Sequence, residues 1–265
     1  MSRLSLTYLR KLKANGEKMS CLTAYDASFA YLIDAAGVEI ILVGDSLGMV
    51  IQGHDSTLPV TMEHIIYHSQ LVHRSTHKSV LMVDMPFMSY ATPEQALHNA
   101  ARLMQEGHAQ IVKLEGGAWL AETVQLLTER GIPVCAHLGL TPQSVHQLGG
   151  YRVQGRSEAS AERLRQDALA LQAAGASALL FECVPSALAA EITRSVEIPV
   201  IGIGAGVDCD GQVLVLYDML GISHGKRPSF SKDFLAESGS VPAAITAFHE
   251  AVKQSRFPTA EHSFS

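Results

Sequence analysis

The sequence predicts a (β/α)8 TIM barrel, an α/β fold of eight parallel strands with helices outside them. Three observations predict it. Eight short apolar runs recur along the chain, and most end in a polar or charged residue. Amphipathic helical stretches separate most of these runs, so the pattern alternates. The length of 265 residues is close to the roughly 250 of one such barrel. Unbroken apolar runs suit strands buried on both faces, because helices cover parallel sheets on each side. In this architecture the reactive groups sit at the C-terminal ends of the strands. The residues that terminate the runs are therefore the first candidates for chemistry. One domain over residues 1–265 is expected, since no Ser/Gly/Pro-rich linker interrupts the spacing.

Residues 3–14 read as a short helix with Leu4, Tyr8, Leu9 and Leu12 on one side, able to cover the barrel bottom. The first strand is Ser20–Ala24, followed by Tyr25 and Asp26 and then a helix from Ala27 to Ala36. Ile40–Gly44 is the second strand, and it runs into Asp45 and Ser46. The polar, glycine-containing stretch Leu47–Pro59 reads as a long loop, a kind that is usually functional. Thr61–Arg74 is a helix. Val80–Val83 is the third strand and meets Asp84. Thr92 reads as an N-cap with Pro93 at the first helical position and Gln95 at the box position, opening a helix to Glu106. The fourth strand, Ile111–Val112, meets Lys113, with Glu115 two residues on. After the helical stretch Gly117–Arg130, the fifth strand Val134–Ala136 meets His137. A second long loop, Gly139–Ser157, carries Arg152 and Arg156. Glu158–Ala174 is a helix, and Ala178–Phe181 is a strand that meets Glu182. The helix Pro185–Val196 precedes strand seven, Val200–Ile203, which meets Gly204-Ala205-Gly206. Val213–Leu216 is the eighth strand, residues 224–236 look irregular, and a helix spans Val241–Gln254. The tail from about Phe257 is expected to be mobile.

Composition narrows the class of function. Hydrophobic residues make up 47% of the chain, enough for a large core. Charged residues are only 17%, which hints at surface buried between subunits. The net charge of −6 argues against a nucleic-acid footprint. Cys21, Cys135, Cys183 and Cys209 show no CxxC spacing, so reduced core thiols are expected. No apolar signal core opens the chain, and no stretch of about 18 apolar residues suggests a membrane span. A cytoplasmic soluble protein is the expectation.

Asp45 and Asp84 end adjacent strands, and adjacent strands lie about 4.8 Å apart. Two carboxylates so placed can converge on one hard cation, and all-oxygen ligands favour Mg2+. Glu115 could be a third carboxylate, directly or through a water. The alternative is that both aspartates cap following helices or pair with Lys113. Lys113 could hold a substrate carboxylate or form a Schiff base. Nearby acids stabilise its ammonium, which favours the binding role. Glu182 follows Leu-Leu-Phe, and a carboxylate partly stripped of water is a stronger base, suited to removing a proton from carbon. Its alternative is a buried salt bridge. His137 could hydrogen-bond a substrate carboxylate or be a satisfied core histidine. The glycines of Gly202–Gly206 suit close backbone approach better than a phosphate loop, since neither GxGxxG nor a Walker lysine is complete. The pairs His64/His68 and His73/His77 have helical zinc spacing but no HExxH, and read as solvated or interface histidines.

These residues sit in longer blocks: VGDSLGMVIQGHDSTLPVTMEH, DMPFMSY, KLEGG, HLGLTPQSV, GGYRVQGR, FECVP and IGIGAG. In order and separation the blocks resemble the ketopantoate hydroxymethyltransferase family, from about Leu4 to Ala251. The resemblance implies a (β/α)8 barrel assembled as a homo-oligomer, a decamer of two stacked five-membered rings. It implies transfer of a hydroxymethyl group from 5,10-methylenetetrahydrofolate to 3-methyl-2-oxobutanoate in pantothenate biosynthesis. The family's Mg2+ ligands fall on Asp45 and Asp84, with the Glu115 position in the metal's outer environment. Its substrate contacts fall on Asp45, Ser46, Asp84 and Lys113, and its catalytic base falls on Glu182. Partners are then a small keto acid and a folate, with no nucleic acid and no membrane. Two other readings fit the same residues: another Mg2+-dependent keto-acid lyase or aldolase barrel that needs no folate, and a non-catalytic binding barrel. No run announces the slot that a pterin requires.

Overall fold

The computed structural model describes residues 3–225 and 227–265. Eight parallel strands close a barrel in sequence order, with the last hydrogen-bonded to the first. They are β1 (Met19–Thr23), β2 (Ile40–Val43), β3 (Val80–Asp84), β4 (Ile111–Glu115), β5 (Val134–Gly139), β6 (Ala178–Glu182), β7 (Val200–Ile203) and β8 (Gly211–Leu214). Nearly every strand residue is buried, as expected where one face lines the barrel and the other meets helices. Several helix starts are fixed by side-chain caps. Asp26 accepts from the amides of Ser28 and Phe29, Thr92 from that of Gln95, and Ser157 from that of Ser160. Thr61 and His64 form a reciprocal capping box, so His64 serves the helix end rather than a zinc site.

The N-terminal helix, Leu6–Ala14, closes the bottom of the barrel. Leu9 and Leu12 are buried beneath it. Lys13 Nζ donates to the carbonyl of Thr193 and pairs with Asp210 at 2.8 Å, while Gln110 donates to the carbonyl of Leu4. All three partners lie just before strands or in the helix leading to one, at the end opposite the candidate site.

Register places the polar strand ends side by side. Lys113 stands opposite Asp84 across β3 and β4, and Glu115 stands opposite His137 across β4 and β5. Glu182 stands opposite Gly139 on one side and Ile203 on the other. Because side chains alternate along a strand, Lys113 and Glu115 share one face of β4.

Two expectations change. The eighth strand begins at Gly211, two residues earlier than the apolar run suggested. An added Cβ at Gly211 would stand 2.4 Å from the Met19 side chain, so only glycine permits this closure of β8 on β1. Leu216 already belongs to a short helix, its amide bonded to Thr23 Oγ1 at 2.9 Å. The segment from Phe257, expected to be mobile, packs against the molecule. Phe257 meets Phe234 and Phe248 edge-on with ring centroids 5.5 and 5.9 Å apart. The carbonyl of Phe264 accepts from the Ser186 amide at 2.8 Å and from its hydroxyl at 2.7 Å, satisfying the start of the helix Ser186–Ser195. The tail is held because its aromatic residue completes an apolar cluster and its backbone caps a helix. Phe257→Ala is expected to destabilise the fold by about 3–5 kcal/mol in chemical denaturation, as buried aromatic truncations do. An unchanged midpoint would show the tail to be dispensable.

Candidate active site

Five consecutive strand ends contribute side chains to one cluster at the barrel rim. Asp84, the last residue of β3, accepts a hydrogen bond from the Asp45 amide at 3.0 Å through Oδ2. Its Oδ1 lies 2.9 Å from Lys113 Nζ and accepts no well-aligned hydrogen bond among the described residues. Lys113 Nζ is 3.8 Å from Glu115 Oε1 and 3.3 Å from His137 Nδ1. The His137 ring then stands between two acids, with Nδ1 at 3.4 Å from Glu115 and Nε2 at 3.4 Å from Glu182. A continuous polar line thus runs from Asp45 to Glu182. Asp84, Lys113, Glu115 and His137 have side chains no more than 4% exposed, whereas that of Glu182 is 15% exposed. Glu182 is therefore the member of the line most open to an incoming molecule.

Electrostatics follow from like charges gathered in a dry place. Burial, then the nearby carboxylates of Asp84 and Glu115, push Asp45 well above the usual carboxylate range. Burial opposes the charge on Lys113, but Asp84, Glu115 and Asp45 outweigh it and raise its pKa, so the ammonium persists. Burial also opposes ionisation of Glu115, yet His137, Lys113 and the Gln143 amide together hold it below its ordinary value. For His137, burial and Lys113 disfavour the proton, while Glu115 and Glu182 reverse the balance and raise its pKa. One lysine is the only permanent cation among four carboxylates, so the cluster favours a further positive charge.

Gln143 was not singled out from the sequence, although it lies in the loop after β5. It is buried, and its Nε2 donates to Asp45 Oδ2 at 2.8 Å and to the carbonyl of Met85 at 3.0 Å. Its backbone amide donates to Glu115 Oε2 at 2.9 Å, and its Oε1 accepts from the Tyr90 hydroxyl. One side chain and its amide thereby fix two acids from different strands. The available clue was the length of the loop, which did not indicate which residue turns inward. Ser46 sits beside Asp45 at the start of a short helix, Leu47–Val50, with its hydroxyl 2.8 Å from that of the buried Tyr25.

Among the described residues, Gln143 Nε2 bonds Asp45 through Oδ2 with no hydrogen bond reaching Oδ1, and Asp84 Oδ1 leans on Lys113 alone. Two oxygens of hard character are thus available for a cation, which suits the donor set of an oxygen-loving divalent ion. Among the described residues no three Asp, Glu, His or Cys side chains close on one point. Glu115 has Oε2 taken by Gln143 and Oε1 facing His137 and Lys113, an outer position. Phe230 and Phe264 pack on Gly204, so part of the glycine-rich segment after β7 is used in close packing. His73 stacks on His108 at 4.2 Å, away from this rim.

The chain is 62% identical over 264 residues to a 3-methyl-2-oxobutanoate hydroxymethyltransferase of Nitrosococcus oceani, covering 100% of both chains. It is 60% identical over 265 residues to the protein of that name from Shewanella loihica, again covering 100% of both. The solved structures include a 2,3-dimethylmalate lyase (TM-score 0.59, 17% identity, 82% of each chain). Another is a phosphonopyruvate hydrolase in complex with oxalate and Mg++ (TM-score 0.61, 13% identity, 80% of this chain and 81% of the other). At these identities the structures share the fold alone. The family described as ketopantoate hydroxymethyltransferase matches residues 3–260, and the chain belongs to that family.

Proposed function

We propose that this chain transfers a hydroxymethyl group from 5,10-methylenetetrahydrofolate to 3-methyl-2-oxobutanoate. The products are 2-dehydropantoate and tetrahydrofolate, and the step serves pantothenate synthesis. The observation that carries the reading is the unbroken line of contacts from Asp45 and Asp84 through Lys113 and His137 to Glu182. Membership of the family and full-length identity to hydroxymethyltransferases support the same conclusion. The assembly we propose is a homo-oligomer, a decamer, in keeping with the low charged fraction of 17%. Four buried free cysteines support a reducing, cytoplasmic setting.

Asp45 and Asp84 would hold Mg2+, with Glu115 acting in its outer environment. When bound, the ion would draw electron density from the keto oxygen and stabilise negative charge as it develops there. Lys113 binds the substrate carboxylate as an ammonium. The acids around it keep it protonated, so imine formation is disfavoured. Ser46 helps to orient the same carboxylate, while Tyr25 fixes its hydroxyl. Glu182 takes the proton from C3, a contribution of roughly 10²- to 10⁴-fold. His137 positions the Glu182 carboxylate and joins it to Lys113. Water cleaves both C–N bonds of the methylene bridge, releasing the one-carbon unit at the formaldehyde level, and the two water protons end on the two nitrogens of tetrahydrofolate. The C3 carbon then adds to that carbonyl carbon as its C=O π bond opens, and the proton taken from C3 ends on the new hydroxyl oxygen. The loops after β2 and β5 limit access of water to the pocket.

Glu182→Gln is expected to retain keto-acid and Mg2+ binding but to lose exchange of the C3 deuteron into water, followed by NMR. Undiminished exchange in that variant would remove Glu182 from its role. Gln143→Leu is expected to weaken Mg2+ binding about 10- to 100-fold by calorimetry with keto acid present, because partners of metal ligands contribute on that scale. An unaltered affinity would reduce Gln143 to packing.

A further inference from the structure

The proposed reaction needs a place for the folate within reach of Glu182, and a cavity of about 550 Å3 adjoins the acid cluster. Small-molecule sites span roughly 300–1,000 Å3. Glu115 and His137 form part of its wall, so a molecule in it abuts the line of residues that ends at Glu182. The remaining wall comes from the loops after β4 and β5 and from the first turns of the helix Glu158–Ala173.

The chemistry of that wall is specific. Trp119, the only tryptophan of the chain, lies at the cavity and is 69% exposed. Its ring rests on Gly116, where an added Cβ would stand 2.4 Å from it. Any larger residue at 116 would displace the indole, so the backbone is shaped to present it. Leu148 and Leu164 supply apolar surface. Asp167 faces the same space, with Oδ1 accepting from the Ala118 amide at 2.8 Å, which anchors the carboxylate. Arg163, one turn away on the same helix, also lines the cavity and makes no ion pair with the described residues. An aromatic plate, a fixed carboxylate and a free guanidinium match a reduced folate. The flat pterin stacks on an indole, its N–H and amino donors suit a carboxylate, and its glutamate tail suits an arginine.

We infer that this cavity is the folate subsite, with the pterin against Trp119 and Asp167 and the glutamate tail toward Arg163. The inference rests on the proposed folate-dependent reaction. The probe is tetrahydrofolate, kept reduced and added to the intact protein. Saturable quenching of Trp119 fluorescence is expected in the wild type. Arg163→Met and Asp167→Asn are each expected to raise the tetrahydrofolate dissociation constant about tenfold or more. In both variants the KM for methylenetetrahydrofolate rises and that for the keto acid stays constant. Wild-type affinity in both variants overturns the subsite, as does saturable binding without Trp119 quenching, for instance if a neighbouring copy of the chain fills the cavity. A wild type that releases C3 deuterium yet neither binds tetrahydrofolate nor requires methylenetetrahydrofolate instead overturns the proposed reaction, and the subsite with it.

Discussion

The ammonium of Lys113 is the charge around which the rim is built. It lies 2.9 Å from Asp84 and 3.8 Å from Glu115, fully enclosed. Carboxylates in such a place are costly without a partner, and removing one partner of a buried pair costs about 3–5 kcal/mol. The parallel register of β3 on β4 supplies the partner by setting Lys113 directly opposite Asp84. The lysine does not balance the cluster completely. Burial first, and then that residual negative charge, push the pKa of Asp45 up, and the uncompensated charge favours a further cation at the rim.

Precision in this cluster comes from a loop as much as from the strands. Gln143 binds Asp45 with its side chain and Glu115 with its backbone, so the loop after β5 cannot move without loosening two acids. Tyr90 completes the brace from the loop after β3. Loop motion and acid geometry are therefore coupled in this fold. Two rim carboxylates are held in place by this one segment.

Much of the barrel was legible because each strand is an apolar run and each run ends where the barrel opens. Asp45, Asp84, Lys113, His137 and Glu182 all fall at those ends, and spatial convergence follows from closure of the sheet. Gln143 was hidden because an irregular loop has no periodicity to say which side chain turns inward. The start of β8 was misplaced because Gly211 and Gln212 lack apolar character, although Gly211 is required for contact with Met19. The tail looked mobile because its anchor is tertiary: Phe257 is one apolar residue in a polar stretch, and the role of the Phe264 carbonyl cannot be seen in a side-chain pattern. The residues alone left open whether Glu115 would meet a cation directly or through a water, because the Gln143 amide that occupies one of its oxygens belongs to that irregular loop.

The claim that the rim aspartates grip a divalent ion for a keto acid is tested most directly by calorimetric titration of Mg2+ into wild type and Asp84→Asn, each with 3-methyl-2-oxobutanoate present. The account predicts binding by the wild type and its loss in the variant, which still unfolds in a cooperative thermal transition, at a lower midpoint because buried Lys113 loses a charged partner. Equal Mg2+ affinity in the two proteins would contradict it.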